Sequence, residues 1–236
     1  MDFLGLTLPT LAENLALDEG LLLQAEADPG REVLRLWEWP SSAVVLGAGG
    51  VLRADVDETA CLADGVPVLR RSSGGGTVLL GAGCLLYTLV LAYDRARELT
   101  QIGSSYGYIL DRVCAALAVP ELRPAGTSDL ALMGRKVSGN AQQRKRQHLL
   151  HHGTLLYAFD GQRVGRYLRM PARQPDYRRR REHAEFVTNL PLGREELERR
   201  LRRPFGADRE RGNWPREVVA ELVRTKYALA EWTRRR

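Results

Sequence analysis

The sequence predicts an α+β fold, in which a mostly antiparallel or mixed sheet is flanked by helices. Strand patterns follow one another through the middle of the chain, and clear helix patterns lie near both ends. The 236 residues are enough for one sizeable core, and they contain no internal repeat and no long linker. We therefore expect a single domain over residues 1–236, with a C-terminal helical segment at 193–236 that packs on it or extends it.

The first predicted helix has a well-marked start. Thr10 and Glu13 form a T-x-x-E capping box, and the helical pattern continues to about Ala27, where an Asp-Pro-Gly sequence ends it. Short β-branched and aromatic runs then indicate strands, separated by turn residues. These strands are expected at 33–39, 43–46, 66–70, 77–80 and 85–92.

The second half of the chain begins with a predicted helix at 101–119, whose apolar residues recur near helical spacing. A hairpin is expected next, with strands at 129–133 and 136–142 and a turn at Gly134-Arg135. A further strand at 149–159 completes the sheet. Two Arg-rich helices are expected at 194–203 and 215–232, and Pro215 suits the first turn of the second.

The composition excludes several classes of protein. Apolar residues make up 44% of the chain, and no apolar run is long enough to cross a bilayer. The N-terminus lacks the basic start and cleavage site of a signal peptide. Cys61, Cys84 and Cys114 are widely spaced and form no CxxC pair, which argues against a disulfide framework or a zinc site. We expect a cytoplasmic protein without a membrane partner.

The basic residues are unusual in type, because only three of the 35 are lysines: Lys136, Lys145 and Lys226. A lysine in such an Arg-rich chain is a candidate for chemistry that arginine cannot perform. The four arginines at 178–181 and the three at 234–236 raise the question of nucleic-acid binding. No aromatic residues interleave them and no nucleic-acid motif is present, so we expect a solvated surface or a docking patch for an acidic protein.

A glycine-rich stretch, R-R-S-S-G-G-G-T-V, occupies positions 70–78. It matches neither the Walker phosphate loop nor the dinucleotide-binding fingerprint. A tight bend between strands would explain the glycines as well as an anion site would. The preceding Arg70-Arg71 pair favours an anion site, because guanidinium groups suit carboxylate and phosphate.

A second stretch, GTSDLALMGRKVSGNAQQRKRQHLLHHGTLLY at 126–157, contains Lys136 and His152. Together with the glycine-rich stretch it resembles the lipoate–protein ligase family, within the larger group of lipoyl and octanoyl transferases and biotin ligases. The segments ENLALDEGLL and LRLWEWPSSAVVLG resemble the first helix and strands of that family. The resemblance covers about residues 10–189 and implies a biotin/lipoyl-ligase-like catalytic domain.

The resemblance implies a two-step activity. Ligases of this family activate lipoate with ATP and hold the resulting acyl-adenylate in one pocket. The lysine of a carrier domain then attacks the acyl carbonyl and displaces AMP. The implied substrates are lipoate or octanoate and the magnesium complex of ATP. The implied partners are lipoyl domains of 2-oxoacid dehydrogenases or a glycine-cleavage carrier protein.

The same resemblance implies roles for individual residues. Lys136 would be catalytic, at the acyl carbonyl and the phosphate, where a fixed positive charge stabilises developing negative charge. Asp129 would bind magnesium, which prefers carboxylate together with phosphate oxygens. The remaining residues would bind substrate or nucleotide: Arg70, Ser72, Ser73, Gly74, Gly75, Gly76, Ser128, Ser138, Gly139, His152 and Gly153.

The chain departs from the family pattern at Leu80, where many ligases have histidine, and at Cys84, where asparagine is common. Some octanoyltransferase relatives form an acyl-thioester on a cysteine and use no ATP. The positions that carry this cysteine have none here, since 125–128 reads Ala-Gly-Thr-Ser and the C-terminal third lacks cysteine. Cys84 lies among apolar residues, so we interpret it as core or pocket lining.

Full ligases often carry a small C-terminal domain that closes over the adenylate, and this chain stops where that domain would begin. A separate small partner protein is therefore expected to supply it, unless the chain acts without it. Two alternatives to the ligase remain open. One is an ATP-independent octanoyl or lipoyl transferase, and the other is a non-catalytic protein that binds lipoate or a carrier.

Overall fold

The computed structural model describes all 236 residues and has the predicted α+β architecture, with a large mixed sheet flanked by helices. The large sheet has eight strands in the order β11-β1-β2-β6-β10-β9-β8-β7. Its strands are β1 (Asp2–Gly5), β2 (Val33–Glu38), β6 (Cys84–Ala92), β7 (Leu122–Ala125), β8 (Asp129–Leu132), β9 (Arg135–Arg144), β10 (His148–Leu156) and β11 (Arg209–Glu210). Only the two pairings of β1, with β2 and with β11, are parallel; the others are antiparallel.

A second, smaller sheet has three strands in the order β4-β3-β5. These strands are β3 (Ala43–Leu46), β4 (Val68–Arg70) and β5 (Val78–Leu80). The glycine-rich stretch connects β4 to β5, so both of its ends are held by the same central strand, β3.

The helices are α1 (Leu11–Ala27), α2 (Leu52–Asp55), α3 (Glu58–Ala63), α4 (Ile102–Leu117), α5 (Val164–Tyr167), α6 (His183–Phe186), α7 (Arg194–Arg202), α8 (Arg216–Leu222) and α9 (Ala230–Arg234). The predicted capping box opens α1: the Glu13 amide donates to the Thr10 hydroxyl, and the Thr10 amide donates to the Glu13 carboxylate. No helix is both long enough and apolar enough to cross a membrane.

Each face of the large sheet covers a separate hydrophobic core. On one face, Leu34, Tyr87 and Leu89 pack with residues of α4 and α7. On the other face, Trp37 and Leu86 pack with α1 and the small sheet. The period-2 alternation along β2 and β6 sends successive side chains to opposite cores, which explains why both strands are apolar almost throughout.

Several predicted boundaries were wrong. The β8–β9 turn was predicted at Gly134-Arg135 but lies at Met133-Gly134. Met133 and Gly134 both have positive φ, as a two-residue hairpin turn requires. The predicted helix at 215–232 is interrupted by a π-helical turn at 223–227 and resumes as α9. Strands β1, β7 and β11 and helices α2 and α3 were not predicted, since each is six residues or shorter.

Candidate functional site

A two-lobed cavity opens between the large sheet, the small sheet and α1. The inner lobe has an empty volume of about 700 Å³, and its walls include buried apolar residues such as Leu15, Trp37 and Leu86. The outer lobe, of about 1560 Å³, extends past exposed Arg169 and Arg173. Residues common to both lobes form their junction: Gly76, Thr77, Val78, Ser128, Asp129, Lys136, Gly139 and Thr154.

Lys136 lies at this junction and forms an ion pair with Asp129. The distance from Lys136 Nζ to Asp129 Oδ1 is 2.7 Å, and Tyr177 donates a hydrogen bond of 2.7 Å to Asp129 Oδ2. The β8–β9 hairpin supplies both charged residues, and a bulge in it shifts the register between Leu130 and Ala131. The lysine side chain keeps 27% of its surface exposed, so a substrate can reach its ammonium group.

Gly139 allows the lysine to lie along the strand. A β-carbon at this position would come within 2.7 Å of Lys136 Nζ, which is closer than carbon and nitrogen can approach. At the neighbouring strand, a β-carbon on Gly153 would overlap the side-chain oxygen of Asn140. Both glycines therefore leave room for a polar side chain at the cavity wall.

Asn140 fixes the backbone next to the ion pair. Its amide nitrogen donates to the Ser128 carbonyl at 2.8 Å, and its side-chain oxygen accepts from the Tyr87 hydroxyl at 2.5 Å. His151 lies behind Tyr87, 3.2 Å from the Tyr87 hydroxyl and 3.2 Å from the Gln142 amide nitrogen. Burial lowers the pKa of His151 to about 3, so this histidine is neutral at physiological pH.

The glycine-rich loop is shaped by Arg71, which the sequence marked only as one of the Arg70-Arg71 pair. Its guanidinium donates to the carbonyls of Gly74 and Gly76, at 2.5 and 2.8 Å, and to the Ser73 hydroxyl at 2.9 Å. Burial lowers its pKa to about 10, which still leaves it charged at neutral pH. Gly75 has a φ of +82°, so the loop needs glycine there.

The structure directs Arg70 away from both lobes. Its guanidinium donates to the carbonyls of Gly47, Gly50 and Thr233, at 2.9, 2.7 and 2.7 Å. The Trp232 indole in turn donates to the Arg70 carbonyl at 2.8 Å. Arg70 thus holds the C-terminal helix α9 against the small sheet, although it is adjacent in sequence to Arg71.

A chain of polar contacts connects the loop to α1. The Ser73 hydroxyl lies 2.6 Å from His152 Nε2, and His152 Nδ1 lies 3.0 Å from an Asp18 carboxylate oxygen. The other Asp18 oxygen pairs with fully buried Arg35 at 2.6 Å. Asp18 and His152 line the inner lobe, whereas Ser73 lies just behind it. Asp18 could have been suspected from the sequence, because Asn14 and Asp18 are polar residues four apart on the mostly apolar face of α1.

The cavity thus brings together most of the predicted site residues. Those that line it are Gly75, Gly76, Ser128, Asp129, Lys136, Ser138, Gly139, His152 and Gly153. Those that do not line it are Arg70, Ser72, Ser73, Gly74 and Cys84.

None of the three cysteines lines either lobe. Cys84 is fully buried in the core beneath the small sheet, and this burial raises the pKa of its thiol far above the usual range. Burial also raises the pKa of Cys114, on α4, to about 11. Neither environment favours the thiolate that nucleophilic catalysis requires.

Two carboxylates, Asp129 and Asp55, face the outer lobe. The structure has no group of three His, Cys, Asp or Glu residues that could hold a metal ion by themselves. This arrangement fits magnesium that enters with a phosphorylated substrate, because the ion takes one or two carboxylates and completes its shell with phosphate oxygens and water.

The chain is similar in sequence and in fold to known proteins. Residues 10–201 match the family described as the lipoyl protein ligase A/B catalytic domain. An octanoyltransferase LipM from Carboxydothermus hydrogenoformans is 31% identical over 176 residues, which cover 67% of this chain and 65% of the relative. The match therefore spans slightly less than two thirds of that relative's length.

Two solved structures share the fold over nearly the whole chain. One, from a study of a bi-partite lipoate protein ligase and its E2 lipoyl domain from Thermoplasma acidophilum, has a TM-score of 0.83 at 22% identity. The alignment covers 95% of that structure's chain and 99% of this chain. The other, a lipoate-protein ligase A bound with ATP, has a TM-score of 0.84 at 21% identity. The alignment covers 98% of that structure's chain and 99% of this chain.

Proposed function

Because this chain belongs to the lipoyl protein ligase A/B catalytic-domain family, we propose that it is an ATP-dependent lipoate–protein ligase. It activates lipoate or octanoate as acyl-AMP and transfers the acyl group to a lysine of a carrier domain. The observation that carries this proposal is the two-lobed cavity with Lys136 at the junction and no cysteine in either wall.

The two lobes suit the two parts of an acyl-adenylate. The inner lobe, with Leu15, Trp37 and Leu86 in its walls, is suited to an acyl chain. The outer lobe, which is larger and partly lined by arginines, is suited to a nucleotide. The acyl carboxylate and the α-phosphate would then meet at the junction, beside Lys136.

Lys136 would stabilise the negative charge that develops in each of the two steps of the reaction. In the first, a carboxylate oxygen attacks the α-phosphorus and pyrophosphate leaves; in the second, the carrier amine attacks the acyl carbonyl and AMP leaves. A fixed ammonium group stabilises the phosphate oxygens and then the tetrahedral oxyanion. Lys136 would exchange its Asp129 partner for substrate oxygens, which frees the Asp129 carboxylate for magnesium.

The proposed protein partners are lipoyl domains and glycine-cleavage carrier proteins. The neighbour from Thermoplasma acidophilum was studied with an E2 lipoyl domain, which supports a carrier of this kind. That ligase is bi-partite, which also supports a second, small polypeptide that raises the adenylation rate of this chain. Equal adenylation rates with and without such a partner would show that the chain needs none.

The decisive experiment is mass spectrometry of a lipoyl-domain acceptor after incubation with this protein. With lipoate, magnesium and ATP we expect the mass of the acceptor to rise by one lipoyl group. We expect no shift without ATP, and a loss of at least about a hundredfold in rate for Lys136→Ala, because one oxyanion donor supplies roughly that factor.

Lys145→Ala is the matched control, since Lys145 is exposed and lines neither lobe. A shift that persists without ATP, with octanoyl–acyl carrier protein as the donor, would contradict the ligase proposal. Absence of any shift, with lipoate binding retained, would point to the missing small partner or to a protein that only binds lipoate or a carrier, and repeating the reaction with a candidate partner separates these two outcomes.

The second candidate is an octanoyltransferase, which the name of the LipM relative favours. Transfer through an acyl-enzyme would need a nucleophilic side chain at the cavity, and the structure places all three cysteines away from it. Without such a nucleophile, the carrier lysine amine would attack the donor thioester directly, and the acyl carrier thiol would leave. The octanoyl–acyl carrier protein reaction described above tests this candidate directly.

A further inference from the structure

Tyr177 lines neither lobe, but its hydroxyl contacts the ion pair at their junction. The hydroxyl donates a hydrogen bond of 2.7 Å to Asp129 Oδ2, while Lys136 Nζ lies 2.7 Å from Asp129 Oδ1. Burial and the nearby Asp129 charge raise the pKa of Tyr177 far above its usual range, so the hydroxyl keeps its proton. Each oxygen of the Asp129 carboxylate therefore has one side-chain partner, of which one is charged and one is neutral.

The ring and the backbone of Tyr177 are both held in place. The ring packs against Phe186, with 5.1 Å between the two centroids, and a β-carbon on Gly126 would come within 3.6 Å of its edge. The Arg181 guanidinium donates to the Tyr177 carbonyl at 2.8 Å and to the Gly134 carbonyl at 2.7 Å. This bridge ties Tyr177 to the β8–β9 hairpin, which supplies the ion pair. The hydroxyl is therefore preorganised relative to the carboxylate that it contacts.

The contact between Tyr177 and Asp129 strengthens when the ion pair separates. In the proposed reaction Lys136 leaves Asp129 for substrate oxygens, and a carboxylate that is only 10% exposed then loses its ion-pair partner. A buried charge is costly unless hydrogen bonds stabilise it, and a hydrogen bond to an ionised acceptor is roughly twice as strong as one between neutral groups. Because no lysine then neutralises the carboxylate, the Tyr177 hydroxyl offsets part of the cost of releasing Lys136.

We propose that Tyr177 is a positioning residue, which holds the Asp129 carboxylate in place while the Lys136 ammonium group moves from Asp129 to a negatively charged substrate oxygen. This inference rests on the proposed function for the identity of the substrate. No covalent bond changes in this exchange, since Tyr177 keeps its proton and Lys136 replaces one anionic partner with another. Tyr177 lies outside both lobes and acts only through Asp129.

The first test uses the small number of lysines in the chain, which is three. Limited labelling of the ligand-free protein with acetic anhydride, followed by mass spectrometry of its peptides, gives the reactivity of Lys136 relative to exposed Lys145. In Tyr177→Phe the Asp129 carboxylate loses its second partner, binds Lys136 more tightly and keeps the ammonium group protonated. We expect the ratio of Lys136 to Lys145 labelling to fall at least about threefold. An unchanged or higher ratio would overturn the proposal.

Tyr157→Phe is the matched control for this labelling. The Tyr157 hydroxyl donates to the Glu38 carboxylate at 2.7 Å, and Glu38 is itself paired with Arg194 at 3.0 Å, so the same kind of contact is removed. Tyr157 and Glu38 line neither lobe, and we expect the wild-type labelling ratio. An equal fall in this control would contradict a specific role for Tyr177.

The second test compares the equilibrium binding of lipoate and of lipoamide by calorimetry. Lipoate has a carboxylate that draws Lys136 away from Asp129, whereas the amide of lipoamide has no charge to do so. We expect Tyr177→Phe to weaken lipoate binding at least about fivefold and lipoamide binding by less than about twofold. Equal weakening of both ligands would indicate a merely structural residue and contradict the proposal. This difference in affinity, in a wild type that forms no lipoyl-AMP with ATP, would mean that the proposed function fails while the role of Tyr177 stands.

Discussion

Gly139 and the end of the Lys136 side chain lie in close contact at the junction of the two lobes. The Lys136 side chain passes directly over Gly139, so the position of the ammonium group depends on a residue that has no side chain of its own. Both residues were predicted from the sequence, but only as members of a motif. The close approach between them is a property of the bulged hairpin and could not be read from spacing alone.

We expect Gly139→Ala to lower the rate of lipoyl transfer by about tenfold or more while changing the free energy of unfolding by less than about 1 kcal/mol. The added methyl group displaces the flexible end of Lys136 rather than the backbone, so the fold tolerates it. Initial rates and urea denaturation of the same preparation measure the two effects. Gly103→Ala is the control, because a β-carbon there meets nothing within 4 Å. A variant with normal rates would show that the placement of the ammonium group is not critical.

Two adjacent arginines at the end of β4, Arg70 and Arg71, contact different parts of the molecule. Arg70 and Arg71 follow each other, yet Arg71 shapes the glycine-rich loop and Arg70 holds the C-terminal helix α9. Consecutive side chains of a strand point to opposite faces, and this alternation separates the two guanidinium groups. The motif R-R predicted an anion site but could not indicate which arginine faces the cavity.

We expect Arg70→Met to lower the free energy of unfolding by about 2–4 kcal/mol, because several buried carbonyls lose a charged donor. Hydrogen exchange should accelerate chiefly in the peptide that contains α9. Arg53→Met, at an exposed position, is the control and should have little effect. Unchanged exchange in the C-terminal peptide would exclude the anchoring role.

The strand pair β6–β10 contains a pH-sensitive element, His151. Burial lowers the pKa of this histidine to about 3, against about 6.5 in an unfolded chain. Between these values the unfolded chain binds a proton that the folded chain does not, so its contribution to stability is present above pH 6.5 and is lost as the pH falls. The expected loss is about 1.4 kcal/mol for each pH unit below 6.5.

His151→Gln removes this proton and should therefore flatten the fall in unfolding free energy between about pH 6.5 and 4. Urea denaturation of the wild type and the variant across this range measures the difference. The comparison at pH 7.5–8.5 is the internal control, because there the two slopes should be parallel. Parallel slopes at acid pH as well would mean that His151 titrates normally.

The long elements of the fold were predictable, because their signals are local. The capping box places the start of α1, and the apolar alternation places β2, β6 and β10. Short strands such as β1 and β11 have no local sequence pattern. They form because β1 pairs with β2 at the edge of the sheet and β11 then pairs with β1. The same holds for the site. Motifs predicted Lys136 and Asp129, whereas Tyr177, which donates a hydrogen bond to Asp129, lies in a loop whose path depends on the whole fold.

At the scale of the whole molecule, the net charge of +6 bears on the proposed carrier. We expect the KM for an acidic lipoyl domain to rise several-fold between about 50 and 500 mM salt, because ions screen attraction between exposed charges. The KM for lipoate, which enters a buried lobe, should change much less. Steady-state kinetics at several salt concentrations test this expectation. A salt-independent KM for the carrier would show that charge does not guide docking.

The cavity lies where two sheets meet that share no hydrogen-bonded strand. The two sheets can therefore move apart at this seam while all the backbone hydrogen bonds within each sheet stay intact. Such movement breaks two side-chain hydrogen bonds that cross the seam, Ser73–His152 and Ser72–Gln143. The rest of its cost falls on side-chain packing, where many small contacts are lost gradually. A long, flexible acyl chain could thread into this gap through small, reversible widenings, while the rigid ladders on either side keep their register.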